Sequence, residues 1–171
     1  MARTSHADVM ALPDAAQTWN FDLFFPSIPG ATDAKGMTIR CKTASLPGSS
    51  IEPVQIELHG VKKQEAGRAT YQHTMTATFM ETVSWDTLND FRRWRDLARS
   101  WKRNSGASSK EYKVNLELDL YDNAGSVIGT QIICGCFIQE INEVQLNGAE
   151  SQAVEISVTL SFDYIDDGVS Y

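Results

Sequence analysis

Three histidines, three cysteines and 22 carboxylates are the side chains through which this chain could do chemistry. Histidine is the usual acid–base group near neutral pH. Here His6 lies in a terminal segment, His59 precedes a loop glycine, and His73 falls on the apolar face of a strand pattern, where it reads as a core residue. Cys134 and Cys136 form C-G-C rather than C-x-x-C, with no histidine beside them, and Cys41 is remote. An odd count argues against a disulfide framework. The thiols read as buried; a metal site or a bond across a subunit boundary are the other readings. No G-x-S-x-G elbow, G-x-x-x-x-G-K-[ST] loop, G-x-G-x-x-G fingerprint or H-E-x-x-H helix occurs. Carboxylates could pair for acid and base work, but their spacing marks out no pair. The chain therefore reads as a non-enzyme with no cofactor and no metal centre.

Charge is distributed unevenly. Fifteen basic residues face 22 acidic ones, a net of −7. The last base is Lys113, and Val114–Tyr171 holds ten acids and no base, which leaves the first 113 residues at +3. Such asymmetry points to two surfaces with different neighbours, or to one solvated acidic face. The length, 171 residues, suits one domain that buries roughly 70% of its unfolded surface without staples. No run of about 18 apolar residues occurs, so no membrane-spanning helix is expected. Residues 1–18 lack the apolar core of a secretory signal and read as an N-terminal arm, which implies synthesis in the cytoplasm. Residues 19–164 read as the domain and 165–171 as a C-terminal tail.

The elements that must position these residues are mostly strands. In 152–164, Val154, Ile156, Val158, Leu160, Phe162 and Tyr164 alternate with polar residues. In 111–121, Tyr112, Val114, Leu116, Leu118 and Leu120 do the same, and Asp122-Asn123-Ala124-Gly125 reads as a hairpin turn into a return strand at 126–138. Another strand spans 71–80; shorter ones are expected at 19–25, 37–44 and 54–58. One helix is predicted over 84–101, capped by Ser84, with Leu88, Phe91, Trp94, Leu97, Ala98 and Trp101 inward. Arg92, Arg99 and Arg103 gather on its other side, a solvated face or a nucleic-acid contact. The NSGASSK stretch at 104–110 reads as a flexible loop. Strands of 13 residues reach about 43 Å, far beyond the usual five or six residues. Their edges need cover, and continuation into another subunit supplies it.

Between these elements lies an unusual order of motifs: K-x-A-S-L-P-G (Lys42 to Gly48), a polar arm from His59 to Arg68 carrying Lys62 and A-G-R, T-x-T-F-M-E (Thr76 to Glu81), D-F-x-x-W (Asp90 to Trp94) and a closing S-F-D-Y (Ser161 to Tyr164). This order resembles the tail tube proteins of contractile-tailed bacteriophages across nearly the whole chain. The resemblance implies a mainly β fold, a β-sandwich or split β-barrel of about six to seven antiparallel strands with one flanking α-helix. It also implies hexameric rings closed by sheet continuation into an intersubunit β-barrel and stacked into a hollow tube inside a contractile sheath. Expected partners are copies of itself, the tail sheath protein, tube initiator or baseplate proteins, the tail terminator, the tape-measure protein during assembly, and DNA in transit without sequence-specific binding. The expected place is the virion tail, after assembly in the host cytoplasm. A tube terminator or initiator of the same tail, or the tube of a type VI secretion or extracellular contractile injection system, fits the same residues. So would a solitary β-rich ligand-binding domain, whereas an outer-membrane barrel would not accommodate the arginine-rich helix.

Within this frame, a conduit for DNA gains from walls that do not grip phosphate. Thr74, Thr76, Thr78, Asn115, Glu117 and Asp119 are accordingly expected to face the lumen, solvent or the sheath being the alternative. The arm at 59–70 (Gly60, Val61, Lys62, Lys63, Gln64, Glu65, Ala66, Gly67 and Arg68 at its centre) is expected as a protruding loop that orders against the neighbouring ring, a plain surface loop being the alternative. Arg92, Arg99 and Arg103 are expected to face an acidic sheath.

Overall fold

The computed structural model describes residues 5–166. The first four residues of the expected N-terminal arm, and most of the tail expected at 165–171, lie outside them. The strands are β1 (Phe21–Phe24), β2 (Cys41–Ala44), β3 (Ser49–Leu58), β4 (Val61–Tyr71), β5 (Thr74–Met80), β6 (Val114–Tyr121), β7 (Val127–Ile141), β8 (Glu155–Ser161) and β9 (Tyr164–Asp166). The helices are α1 (His6–Met10), α2 (Ala34–Arg40), α3 (Asp86–Ala98) and α4 (Ser109–Tyr112). Seven strands form one antiparallel sheet in the order β1-β6-β7-β8-β5-β2, with β9 also on β7; β3 and β4 form a separate hairpin.

Strand β7 belongs to two half-sheets. Its first part pairs with β6, up to Cys136 opposite Val114, and its last part, Phe137–Ile141, pairs with β8. The bend between them is a bulge: β6 advances two residues from Val114 to Leu116 while β7 spends three, Ile133 to Cys136. An extra residue bends and twists a strand, and here it is Gly135 with φ 70°. The bulge also divides the strand expected at 152–164, which runs as β8 and β9 with Phe162 and Asp163 between them; the Asp163 N–H donates to the Cys134 carbonyl at 2.9 Å.

The half-sheets β1-β6-β7 and β7-β8-β5-β2 close over one core. Leu23, Leu116, Leu118 and Ile133 from the first meet Met75, Phe79, Ile156, Val158 and Leu160 from the second, all nearly inaccessible to water. This is the expected β-sandwich or split barrel. Helix α3 covers the mouth where β6 stops, setting Phe91 edge-on to Phe79 at 4.9 Å and donating from Trp94 Nε1 to the Tyr112 carbonyl at 2.7 Å.

Several local expectations change. The helix predicted over 84–101 is α3, 86–98, and Ser84 does not cap it. Trp85 occupies the cap position in a left-handed conformation, and the Glu81 carboxylate takes the Thr87 and Leu88 N–H groups at 3.0 and 2.8 Å. That carboxylate replaces a capping side chain on the unsatisfied donors of the first turn. Trp101, expected inward, lies past the helix end and is 71% exposed, because the chain turns at a Ser100–Ser105 bridge. The stretch 37–44 begins as helix rather than strand: Asp33 caps α2 through the Gly36 N–H at 2.8 Å and Met37 anchors it. Tyr112 ends α4 instead of starting a strand. His73 is exposed, held by a 3.1 Å contact between Nδ1 and the Phe162 carbonyl.

Candidate assembly surfaces

The arm expected as a loop at 59–70 is the turn and second strand of a hairpin. Its tip, His59-Gly60, has φ 52° and 77°, the two positive values a tight two-residue turn requires. From there β4 pairs with β3 down to Ser49 opposite Tyr71. The two chains lead into β2 and β5, which pair with each other, so the hairpin extends that ribbon outward over about 33 Å for the ten residues of β3. Residues opposite each other share a face. Leu58 with Val61, Ile56 with Lys63, and Val54 with Glu65 make one face; Glu57 with Lys62, Gln55 with Gln64, and Pro53 with Ala66 make the other. The first face is an apolar stripe with Val54, Leu58 and Val61 49–69% exposed, bordered by the Lys63–Glu65 ion pair at 2.5 Å. Gly67 sits at a register shift where a Cβ would come within 2.6 Å of the Glu52 carbonyl oxygen. Arg68 is exposed on the same strand.

The six lumen candidates fall on two faces, not one. Thr74, Thr76 and Thr78 lie opposite Ser161, Thr159 and Ser157 of β8, and Thr43 of β2 lies opposite Thr78. They form a hydroxyl-bearing outer face on the half-sheet β7-β8-β5-β2. Glu117 and Asp119 belong to the other half-sheet, whose outer face turns away from it across the core. There Asp119 lies opposite Asp22 and accepts the Thr130 hydroxyl at 2.5 Å, while Tyr121 donates to Asp22 at 3.1 Å. Loss of water and that carboxylate raise the Tyr121 pKa. Asn115 is occupied within its own subunit, where its Oδ1 accepts the Gly135 N–H at 3.0 Å and holds the bulge.

The arginines are likewise divided. Arg92 and Arg99 line a groove between α3 and the edge of β7, together with Arg95, Lys102 and Phe137. Arg99 donates to Asn104 Oδ1 at 3.1 and 3.2 Å and ties down the turn that carries exposed Arg103. Burial pushes the Cys41 and Cys136 thiols up to about 12 and keeps them neutral. All three cysteines are free. Among the described residues no group of three or more His, Cys, Asp or Glu side chains is placed to hold a metal.

What distinguishes the molecule is its open edges. Among the described residues no strand covers the outer edge of β2, and the edge of β7 that β6 occupies is without a strand from Phe137 to Ile141. Sequence patterning alone missed that both edges belong to one four-stranded half-sheet; the C-G-C bulge was the available signal.

Over residues 2–166 the sequence matches the phage tail tube protein family. The chain belongs to that family. Tail tube protein gp19 of Enterobacteria phage T6 is 24% identical over 133 residues, covering 76% of this chain and 81% of that protein; its counterpart in phage T4 is 25% identical over the same span. The fold recurs in the tube-terminating cap of the anti-feeding prophage, with TM-score 0.66, 13% identity and coverage of 94% and 95%. It recurs again in the sheath-tube complex of an extracellular contractile injection system called PVC, with TM-score 0.62, 14% identity and coverage of 96% and 97%. The tail tube family is structural, and these relatives are not enzymes.

Proposed function

We propose that this tail tube protein forms hexameric rings that stack into the inner tube of a contractile tail. The half-sheet β7-β8-β5-β2, open at both edges, is the observation that carries the reading. Ring closure needs two different patches on one chain that complement each other, and two free edges of one sheet do so. The four strands alternate in direction, so the next copy's β2 continues the sheet antiparallel to β7. The sheet closes on itself around the ring, which removes its edges.

The hydroxyl face of Thr74, Thr76 and Thr78 then lines the lumen. Of the six candidates only these three do so; Glu117 and Asp119 face outward on the other half-sheet, where sheath protein surrounds the tube. The hairpin reaches the adjacent ring. The basic groove beside α3 lies next to the ring seam, leaving Arg103 the freest of the three arginines to meet the sheath. Baseplate and initiator proteins continue the lower end and a terminator caps the upper one. The tape-measure protein fills the lumen during assembly in the host cytoplasm, and DNA later passes through it without sequence-specific contacts. The gp19 relatives, tail tube proteins by name, favour the main tube over a terminator.

Negative-stain microscopy of the purified full chain tests this. Rings or hollow rods are expected, and sedimentation should show mass rising with concentration. A single monomeric species at high concentration would overturn it.

A further inference from the structure

The ends of the two open edges carry opposite charge. At the β2 end stands Arg40, whose Nε and Nη2 are buried without an acceptor. Its Nη1 is 3.8 Å from Asp33, a carboxylate that already takes the Gly36 N–H. Lys42 follows, 59% exposed and paired with Glu155 in its own chain. At the β7 end stand Glu140 and Glu143, both exposed, their carboxylates in no hydrogen bond or ion pair among the described residues. Guanidinium nitrogens buried without an acceptor are costly, and the group gains most from a further carboxylate that reaches them.

Topology decides which ends meet. The four-stranded half-sheet alternates β2 against β5, β5 against β8, and β8 against β7. A second copy added antiparallel to β7 points the Cys41 end of its β2 toward the Ile141 end of β7 and its Ala44 end toward Phe137. Arg40 and Lys42 of that copy then lie toward the end of β7 that carries Glu140 and Glu143.

We infer that Arg40 and Lys42 of one copy pair with Glu140 and Glu143 of the next, fixing the direction and register of the ring seam. The inference rests on the sheet-continuation reading above and deepens it. The Arg40 side chain, folded back against its own subunit, turns outward when the neighbour supplies a carboxylate. The pairing also gives the basic first part and acidic last part of the sequence a common purpose, since each copy presents both signs, one at each edge.

A charge-swap mixture tests it. Arg40→Glu/Lys42→Glu places acid against acid at every seam, and Glu140→Lys/Glu143→Lys places base against base. Each variant alone should remain unassembled under conditions where the wild type forms rings. Mixed one to one they should form rings again, because alternating copies meet acid to base at both seams. Arg40 is largely buried, so Lys42→Glu alone, at an exposed side chain, is run beside the double variant, and melting curves verify that every variant is folded. Either folded variant assembling alone like the wild type, or a mixture of folded variants that fails to assemble, overturns the inference. Hydrogen exchange on wild-type rings separates it from its premise. Slowed amides at Phe137–Ile141 with normally assembling variants sink only the charge pairing. Rings whose amides there stay fast sink the sheet continuation, and this inference with it.

Discussion

Gly135 holds φ 70° beside the Asp163 carboxylate, and a Cβ at this position would lie 2.2 Å from Oδ2. That carboxylate is anchored by Lys113 Nζ at 2.6 and 2.8 Å, and Asn115 takes the Gly135 N–H. The left-handed conformation and the crowding add, so Gly135→Ala should destabilise the subunit by about 2–3 kcal/mol. For a domain of this size that lowers Tm by roughly 4–12 °C. Gly125, with φ 83° in the β6–β7 turn, has open space around its Cβ position. Gly125→Ala should cost only about 1 kcal/mol. Thermal melts of the two variants compare them; equal losses would show that the contact with Asp163 is unimportant. The residue matters beyond its own energy, because the bend at Gly135 carries β7 from one half-sheet into the other.

At the scale of elements, what could be read from the sequence followed burial. Strands β6 and β8 alternate between core and surface, and Leu116, Leu118, Ile156, Val158 and Leu160 are buried as their spacing requires. The hairpin's second strand was illegible for the same reason, although 54–58 of its first was expected as a strand. Neither of its faces packs on the subunit, so Val61-Lys62-Lys63-Gln64-Glu65 shows no inside and outside and reads as a loop. Helix α2 gives a weak signal, since seven residues bury only Met37. Periodicity carried α3 on to Trp101 because it cannot register the Ser100–Ser105 turn. The hairpin's apolar stripe is where exposure is hardest to account for in a lone subunit. Replacing Val54, Leu58 and Val61 by threonine keeps strand propensity while removing the stripe. Subunit stability should stay within about 0.5 kcal/mol of wild type, as for exposed sites generally. Rings should still form but no longer stack, visible as discs in micrographs. Rods of ordinary length would remove the stripe from the ring-to-ring contact.

For the whole molecule, the sandwich sets a choice that composition left open. Its two outer faces point away from one core, so only one can border a lumen, and under the proposed ring closure through β2 and β7 that place goes to hydroxyls rather than carboxylates. Hydroxyl walls neither release counterions from DNA nor repel it strongly; a wall of lysines would do the first, and each contact would slow transit in a salt-dependent way. Thr76→Lys/Thr159→Lys adds bases to the threonine face at directly opposed positions. Glu117→Lys/Asp119→Lys adds them to the other face and removes two acids as well, a larger change in net charge. If the threonine face borders the channel, tubes of the first variant should pass a short DNA tracer about tenfold more slowly at low salt and recover as salt is raised. Tubes of the second should pass it at the wild-type rate despite the greater change in charge. The opposite ranking would place the acidic half-sheet inside, and the ring could then not close through β2 and β7.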